Sequence, residues 1–108
     1  NAFRQVLNNV IINAQDAFPD RTGEIIISTQ INAQTNSFQI MVSDNGPGFP
    51  VETLERIFEP YVTSKAKGTG LGLAICRRII EEHGGVIRAV NAPEGGATVI
   101  ISLPLRPL

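Results

Sequence analysis

The chain has 108 residues and a formal net charge of −1 at pH 7, a length that suits one domain with a modest single core. A nearly neutral chain lacks the basic surface that binding to DNA or RNA requires. Its single cysteine, Cys76, excludes an internal disulfide, and its longest apolar runs are far too short to span a bilayer.

A helix is predicted for residues 2–18. Apolar side chains recur there at three- and four-residue spacing and form one face: Phe3, Val6, Leu7, Val10, Ala14, Ala17 and Phe18. Asn13 falls within this face, and Asn9 lies one turn earlier on the same side. A buried amide needs a partner, so Asn13 either bonds neighbouring backbone or offers its oxygen to a hard cation such as Mg²⁺.

Two strands are predicted next, at residues 24–31 and 38–44, joined by a polar hairpin loop. Asp44 continues the phase of the core-facing residues of the second strand and is followed at once by Asn45-Gly46-Pro47-Gly48. Its carboxylate either forms a turn with backbone two residues on or accepts a hydrogen bond from an exocyclic amine. In the second case the glycines leave space for a flat ring.

A short helix is predicted at residues 51–58, followed by a hinge-like segment that carries the aromatic residues Phe58 and Tyr61. Phe58 is expected to pack against the sheet. Residues 62–67 have few apolar anchors and are predicted to form a mobile flap.

A glycine-rich stretch then leads directly into a second amphipathic helix, which ends at Gly84-Gly85. Its alternating glycines are Gly68, Gly70 and Gly72. Unpaired backbone N–H groups and the helix dipole favour an anion such as phosphate at this point; the alternative is a flexible loop capping a core helix. The spacing fits neither the dinucleotide fingerprint nor the P-loop. Strands at residues 86–91 and 98–103 complete the chain.

Four stretches, in this order, resemble the motifs of the ATP-binding catalytic domain of sensor histidine kinases. Residues 9–14 resemble the N box, 44–48 the first glycine box, 57–61 the F box and 68–73 the second glycine box. The run 58–65, with its very short lid, is most similar to the nitrogen-regulation type. The family belongs to a larger group that includes DNA gyrase B, the heat-shock chaperone ATPases and MutL.

The resemblance implies an α+β two-layer sandwich, the Bergerat ATP-binding fold, with a mixed, mainly antiparallel sheet and helices on one face. Residues 1–108 would form a single ATP-binding domain. We expect the chain to be a fragment of a longer protein, with the first strand of its sheet and the phosphoacceptor domain lying upstream.

The resemblance also implies that ATP lies between the N-box helix and the glycine-rich lid. Asp44 would accept from the adenine amino group, and Gly48 would permit the approach of the ring. Asn13 would coordinate Mg²⁺, supported by Asn9. The implied nucleotide-binding residues are Asn9, Asn13, Asp44, Gly46, Gly48, Phe58, Tyr61, Lys65, Lys67, Gly68, Thr69, Gly70, Leu71, Gly72, Leu73 and Thr98.

The chain departs from the family pattern at two positions near the phosphates. Asp16 and Thr63 stand where the family often has a basic residue. We expect Lys65, or else Lys67, to supply the missing positive charge; the alternative is that both lysines are solvated on a loop. Asn9, Asn13 and Lys65 are therefore the predicted catalytic residues.

The implied activity is that of a protein-histidine kinase that transfers the ATP γ-phosphate to a histidine on a separate helical hairpin domain of the same protein, for later relay to a response regulator. His83 is not the predicted acceptor. The domain would be cytoplasmic, in a parent anchored in the inner membrane, and would contact neither nucleic acid nor membrane. Alternatives are an ATP-gated conformational ATPase, which carries Glu at the position of Asn9 to activate water, and a non-catalytic nucleotide sensor.

Overall fold

The structure is a computed structural model that describes residues 2–15, 23–59, 72–93 and 95–105. In chain order the elements are α1 (Ala2–Gln15), β1 (Ile25–Asn32), β2 (Ser37–Asp44), α2 (Val51–Leu54), α3 (Gly72–Glu82), β3 (Val86–Asn91) and β4 (Ala97–Pro104). The predicted continuation of α1 over residues 16–18 lies outside the described residues.

The prediction of a helix at residues 51–58 is wrong for the second half of that range. Only Val51–Leu54 is helical, and residues 55–58 form turns. The backbone N–H of Glu59 donates to the carbonyl oxygen of Arg56 at 2.9 Å and closes the last turn. So short a helix gains few hydrogen bonds for the residues that it orders, and turn hydrogen bonds replace it.

The four described strands form one sheet in the order β1-β2-β4-β3, and each neighbouring pair is antiparallel. The register sets Ile25 opposite Asp44, Val42 opposite Val99, and Asn91 opposite Ala97. With α1 and α3 packed against one side of this sheet, the predicted α+β fold is confirmed.

The core lies between the two long helices and the middle of the sheet. Both helices contribute fully buried residues, and the strands contribute the alternate residues that face the helices. The buried members of this cluster are Val6, Val10, Ile40, Val42, Cys76, Ile79, Ile80, Ile87, Val99 and Ile101. Asp44 follows Val42 by two residues and therefore lies at the edge of the core on the helix-covered side.

The edge strand β1 is covered only at its beginning. Ile25 packs against the core, whereas the side chains of Ile27 and Ile31 are 50% and 64% exposed although they share its face. Helix α1 lies mainly over β2 and helix α3 mainly over β3, so most of the edge strand β1 keeps its apolar side chains in contact with water.

Cys76 holds α3 against α1. Its Sγ donates to the carbonyl oxygen of Val6 at 3.6 Å, and its side chain is fully buried. Burial raises the pKa of the Cys76 thiol to about 11, so the thiol stays neutral at physiological pH and acts as a core residue rather than a nucleophile.

Candidate functional site

Asp44 uses one carboxylate oxygen to hold the chain around it. Its Oδ1 accepts from the backbone N–H of Gly46 at 2.9 Å and from that of Ala97 at 3.3 Å. The bond to Gly46 is the turn expected under the first alternative for this residue. Oδ2 has no hydrogen-bond partner among the described residues, and the side chain is only half-buried. One oxygen therefore builds the turn, while no described residue bonds the other.

The loop after β2, residues 45–50, is tied to the beginning of β1. The Asn45 side-chain oxygen accepts from the backbone N–H of Glu24 at 2.8 Å, and the Asn45 N–H donates to the Glu24 carbonyl at 3.3 Å. These two bonds anchor the first residue of the loop beside the edge strand.

The far end of the same loop is held by Asn91, the last residue of β3. Asn91 Oδ1 accepts from the backbone N–H of Phe49 at 2.8 Å, and its Nδ2 donates to the Phe49 carbonyl at 2.9 Å. Sequence reasoning missed this residue. An Asn at a strand end indicates a local turn, and no local signal points to a partner 42 residues earlier in the chain.

Two glycines allow the β3–β4 turn to approach this loop. Gly48 has a φ of 82°, and a Cβ there would lie 2.9 Å from Asn91 Oδ1 and 3.2 Å from the carbonyl oxygen of Gly96. Gly96 has a φ of 90°, and a Cβ there would overlap the Asp44 carbonyl oxygen. A side chain at either position would push the turn and the loop apart.

Asn9 brings α1 to the beginning of α3. Its Nδ2 donates to the carbonyl oxygen of Gly72 across a long 3.5 Å. Asn13 lies one turn further along the same side of α1, and both amides are half-buried. Among the described residues, a Cβ built on Gly72 would meet nothing within 4 Å, so none of them fills the space beside the first residue of α3. The structure thus places the predicted N-box residue Asn9 against the end of the predicted glycine-rich stretch.

Two other predicted site residues have partners of their own. Phe58 packs against the core cluster, as expected from the sequence. The Thr98 and Ser43 hydroxyls are 3.0 Å apart, on the side of the sheet opposite the helices, because Ser43 points away from the side of Val42 and Asp44. The Thr98 hydroxyl is thus directed away from Asp44, and the contact that this strand makes with Asp44 comes from the Ala97 N–H instead.

The remaining predicted lid residues lie outside the described residues: Tyr61, Lys65, Lys67, Gly68, Thr69, Gly70 and Leu71, together with Asp16 and Thr63. Leu73 is half-buried in the first turn of α3. Within the described ranges no three His, Cys, Asp or Glu side chains are grouped so as to hold a metal ion. No described helix combines the length and apolar character that crossing a membrane requires.

Comparison with known protein families gives a match over nearly the whole chain. The family described as histidine kinase-, DNA gyrase B-, and HSP90-like ATPase matches residues 1–107. The nitrogen regulation protein NtrY of Azorhizobium caulinodans is 45% identical over 104 residues, which cover 92% of this chain and 14% of NtrY. The histidine-protein kinase AtoS of Escherichia coli is 43% identical over 96% of this chain and 17% of its own length. The chain thus spans about a sixth of the length of these curated relatives.

Solved structures give the same result. The catalytic domain of histidine kinase ThkA is similar with a TM-score of 0.84 and 39% identity, covering 98% of this chain and 68% of that chain. Full-length ShkA in complex with AMPPNP has a TM-score of 0.83 and 28% identity over 99% of this chain and 22% of its own. ThkA in complex with the response regulator TrrA has a TM-score of 0.79 and 36% identity, covering 97% of this chain and 29% of that chain.

Proposed function

The chain belongs to the family of histidine kinase-, DNA gyrase B- and HSP90-like ATPases, as an ATP-binding catalytic domain of the histidine kinase type, and we propose that it holds Mg·ATP beside Asp44 and α1. The γ-phosphate would be presented to a histidine on a separate helical hairpin domain of the same protein. The relative ShkA was solved with the ATP analogue AMPPNP, which supports a nucleotide in this fold.

The observation that carries the proposal is that both hydrogen bonds of the Asp44 carboxylate to described residues are made by one of its two oxygens. Oδ1 is engaged by the N–H groups of Gly46 and Ala97, whereas Oδ2 has no partner in the described part of the chain. An acceptor held rigidly by two backbone donors suits recognition of the adenine amino group, because the site does not reorganise on binding. The loop that follows Asp44 is held at both ends, by Asn45 and by Asn91, so its backbone is already ordered before a flat ring would bind next to it.

The phosphates and their cation would lie between α1 and the beginning of α3. Asn13 supplies a half-buried amide oxygen of the type that hard cations accept, and Asn9 keeps α1 against Gly72. A Mg²⁺ held by Asn13 would neutralise charge on the phosphates. The first N–H groups of α3 have no partner within the helix, and no described residue fills the space beside Gly72, so the beginning of α3 suits a phosphate oxygen. Lys65 or Lys67 would add positive charge from the lid.

The amide at residue 9 favours phosphoryl transfer over hydrolysis. In transfer to histidine, the bond between the γ-phosphorus and the bridging oxygen breaks, a P–N bond forms, and ADP leaves while the imidazole loses a proton. Catalysis is then mostly positioning and charge neutralisation. Asn9 cannot take a proton from water at neutral pH, so the competing attack by water is not assisted by this residue.

Later relay to a response regulator is part of the same proposal. The related kinase ThkA was solved in complex with its response regulator TrrA. Such relay places the domain in the cytoplasm, where ATP is available, in a parent protein that we propose is anchored in the inner membrane.

The kinase activity is tested by mixing the chain with the histidine-bearing hairpin domain of its parent protein and ATP labelled on the γ-phosphate. We expect label on the hairpin that is stable in base and lost in acid, as a phosphohistidine is. Asp44→Asn serves as the control that should transfer nothing. Release of labelled phosphate to water, with none on the hairpin, would identify an ATPase instead; bound nucleotide with neither product would identify a sensor.

Replacing Asn13 with alanine should remove the effect of Mg²⁺ on ATP affinity, because the variant lacks the amide oxygen proposed to hold the cation. ATP titrations with Mg²⁺ and with EDTA measure this effect in wild type and variant. Asn8→Ala is the matched control, since Asn8 is exposed on the same helix and should retain the full effect. Equal Mg²⁺ dependence in wild type and Asn13→Ala would show that Asn13 is not a ligand.

A further inference from the structure

Asn91 forms an unusually specific contact for a strand-end side chain. Its planar amide faces a single residue and bonds both backbone groups of Phe49, as acceptor at 2.8 Å and as donor at 2.9 Å. A pair of bonds to the N–H and the C=O of one residue fixes orientation as well as distance, in the manner of a strand pairing. The position of Phe49 relative to β3 is therefore set by this side chain.

The cross-strand partner of Asn91 holds the other end of the same segment. Asn91 lies opposite Ala97 in the β3–β4 register, and the Ala97 N–H donates to Asp44 Oδ1. The cross-strand pair Asn91–Ala97 is therefore hydrogen-bonded to the chain at both Asp44 and Phe49. Gly48, next to Phe49, lies so close to Asn91 that a Cβ would come within 2.9 Å of its Oδ1.

We propose that Asn91 is a positioning residue for the purine of the bound nucleotide. It orders the backbone of the loop that follows Asp44, so that this loop and Oδ2 of Asp44 would contact one ring together. The proposal rests on the proposed nucleotide site. Without the Asn91 bonds, the ligand would have to order the Phe49 end of the loop when it binds. The free-energy cost of that ordering would weaken the binding.

Titration of the chain with ADP tests this role through a matched pair of variants. Asn91→Ala should weaken ADP binding about tenfold, as expected from the loss of two hydrogen bonds that order the site. Asn32→Ala is the control. Its Oδ1 accepts from the N–H groups of Gln34 and Thr35 in the β1–β2 turn, at the opposite end of the sheet from Asp44. This variant should bind ADP as wild type does even where its unfolding midpoint falls.

Inorganic tripolyphosphate with Mg²⁺ separates positioning of the purine from general destabilisation. Asn91→Ala should bind it as tightly as wild type, because the proposed site holds the phosphates between α1 and α3, away from Asn91. A variant weakened equally toward ADP and tripolyphosphate, or one with unchanged ADP affinity, would overturn the proposal. If wild type itself does not bind ADP, the proposed function fails first and this inference fails with it. Should Asn91→Ala prove unfolded, Asn91→Asp, which keeps the acceptor for the Phe49 N–H but loses the donor, is measured in its place with the same expectation.

Discussion

Changing Asp44 to asparagine should weaken ADP binding by about 3 kcal/mol, or more than about 100-fold, while the protein remains folded. The asparagine oxygen can still accept from the N–H groups of Gly46 and Ala97, whose bonds both end on one oxygen. The Oδ2 position becomes an NH₂ group, which would face the donating amine of adenine. Two donors cannot bond each other, so the purine loses its acceptor and meets repulsion instead.

Two measurements on the same samples test this prediction. Calorimetric titration gives the affinity for ADP, and urea unfolding gives the free energy of unfolding. Asp44→Ala provides the contrast, because it leaves both N–H groups without their partner and should lower the free energy of unfolding by about 1–3 kcal/mol. Asp44→Asn should stay within about 1 kcal/mol of wild type. If Asp44→Asn binds ADP with wild-type affinity, the carboxylate serves only the turn and the adenine role is wrong.

Gly96→Ala should be among the most destabilising single-methyl changes in the chain. Its φ of 90° strains any residue with a Cβ, and the new methyl group would overlap the carbonyl oxygen of Asp44. Since Asp44 and the β3–β4 turn are held by strands on both sides, the overlap is relieved only by moving backbone. We expect a loss of about 3–5 kcal/mol from strain and overlap together.

Gly95→Ala is the matched control for Gly96→Ala. Gly95 has a comparable φ of 109°, but a Cβ there would meet no described residue within 4 Å. Strain alone should cost about 1–2 kcal/mol. Urea unfolding of the two variants should therefore differ by about 2 kcal/mol or more. If both variants lose the same free energy of unfolding, the backbone around Asp44 relaxes to accept the new methyl group. The close packing of the turn against Asp44 would then not contribute to stability.

Local patterns in the sequence determined the two long helices, the strands and the sides of them on which Asp44, Asn9 and Asn13 lie. Apolar periodicity placed α1 and the strands within one or two residues wherever the structure describes them. The alternation along β2 carried Asp44 into phase with Val42 and therefore to the helix-covered edge. The same reasoning set Asn9 and Asn13 on one side of α1. These predictions succeed because side-chain direction in a helix or strand follows from residue spacing alone.

Tertiary structure decided which groups meet. The second hydrogen bond to Asp44 Oδ1 depends on the Ala97 N–H, which β4 brings across the sheet. Asn91, which pairs with Ala97 in the sheet, is brought within hydrogen-bond distance of Phe49 in the same way. The strand order places β1 at an edge of the described sheet, where Ile27 and Ile31 are exposed. Each outcome depends on strand order and register, which are set by the packing of the whole sheet against its helices. A local pattern predicts the direction of a side chain, but only the assembled sheet determines which groups that side chain contacts.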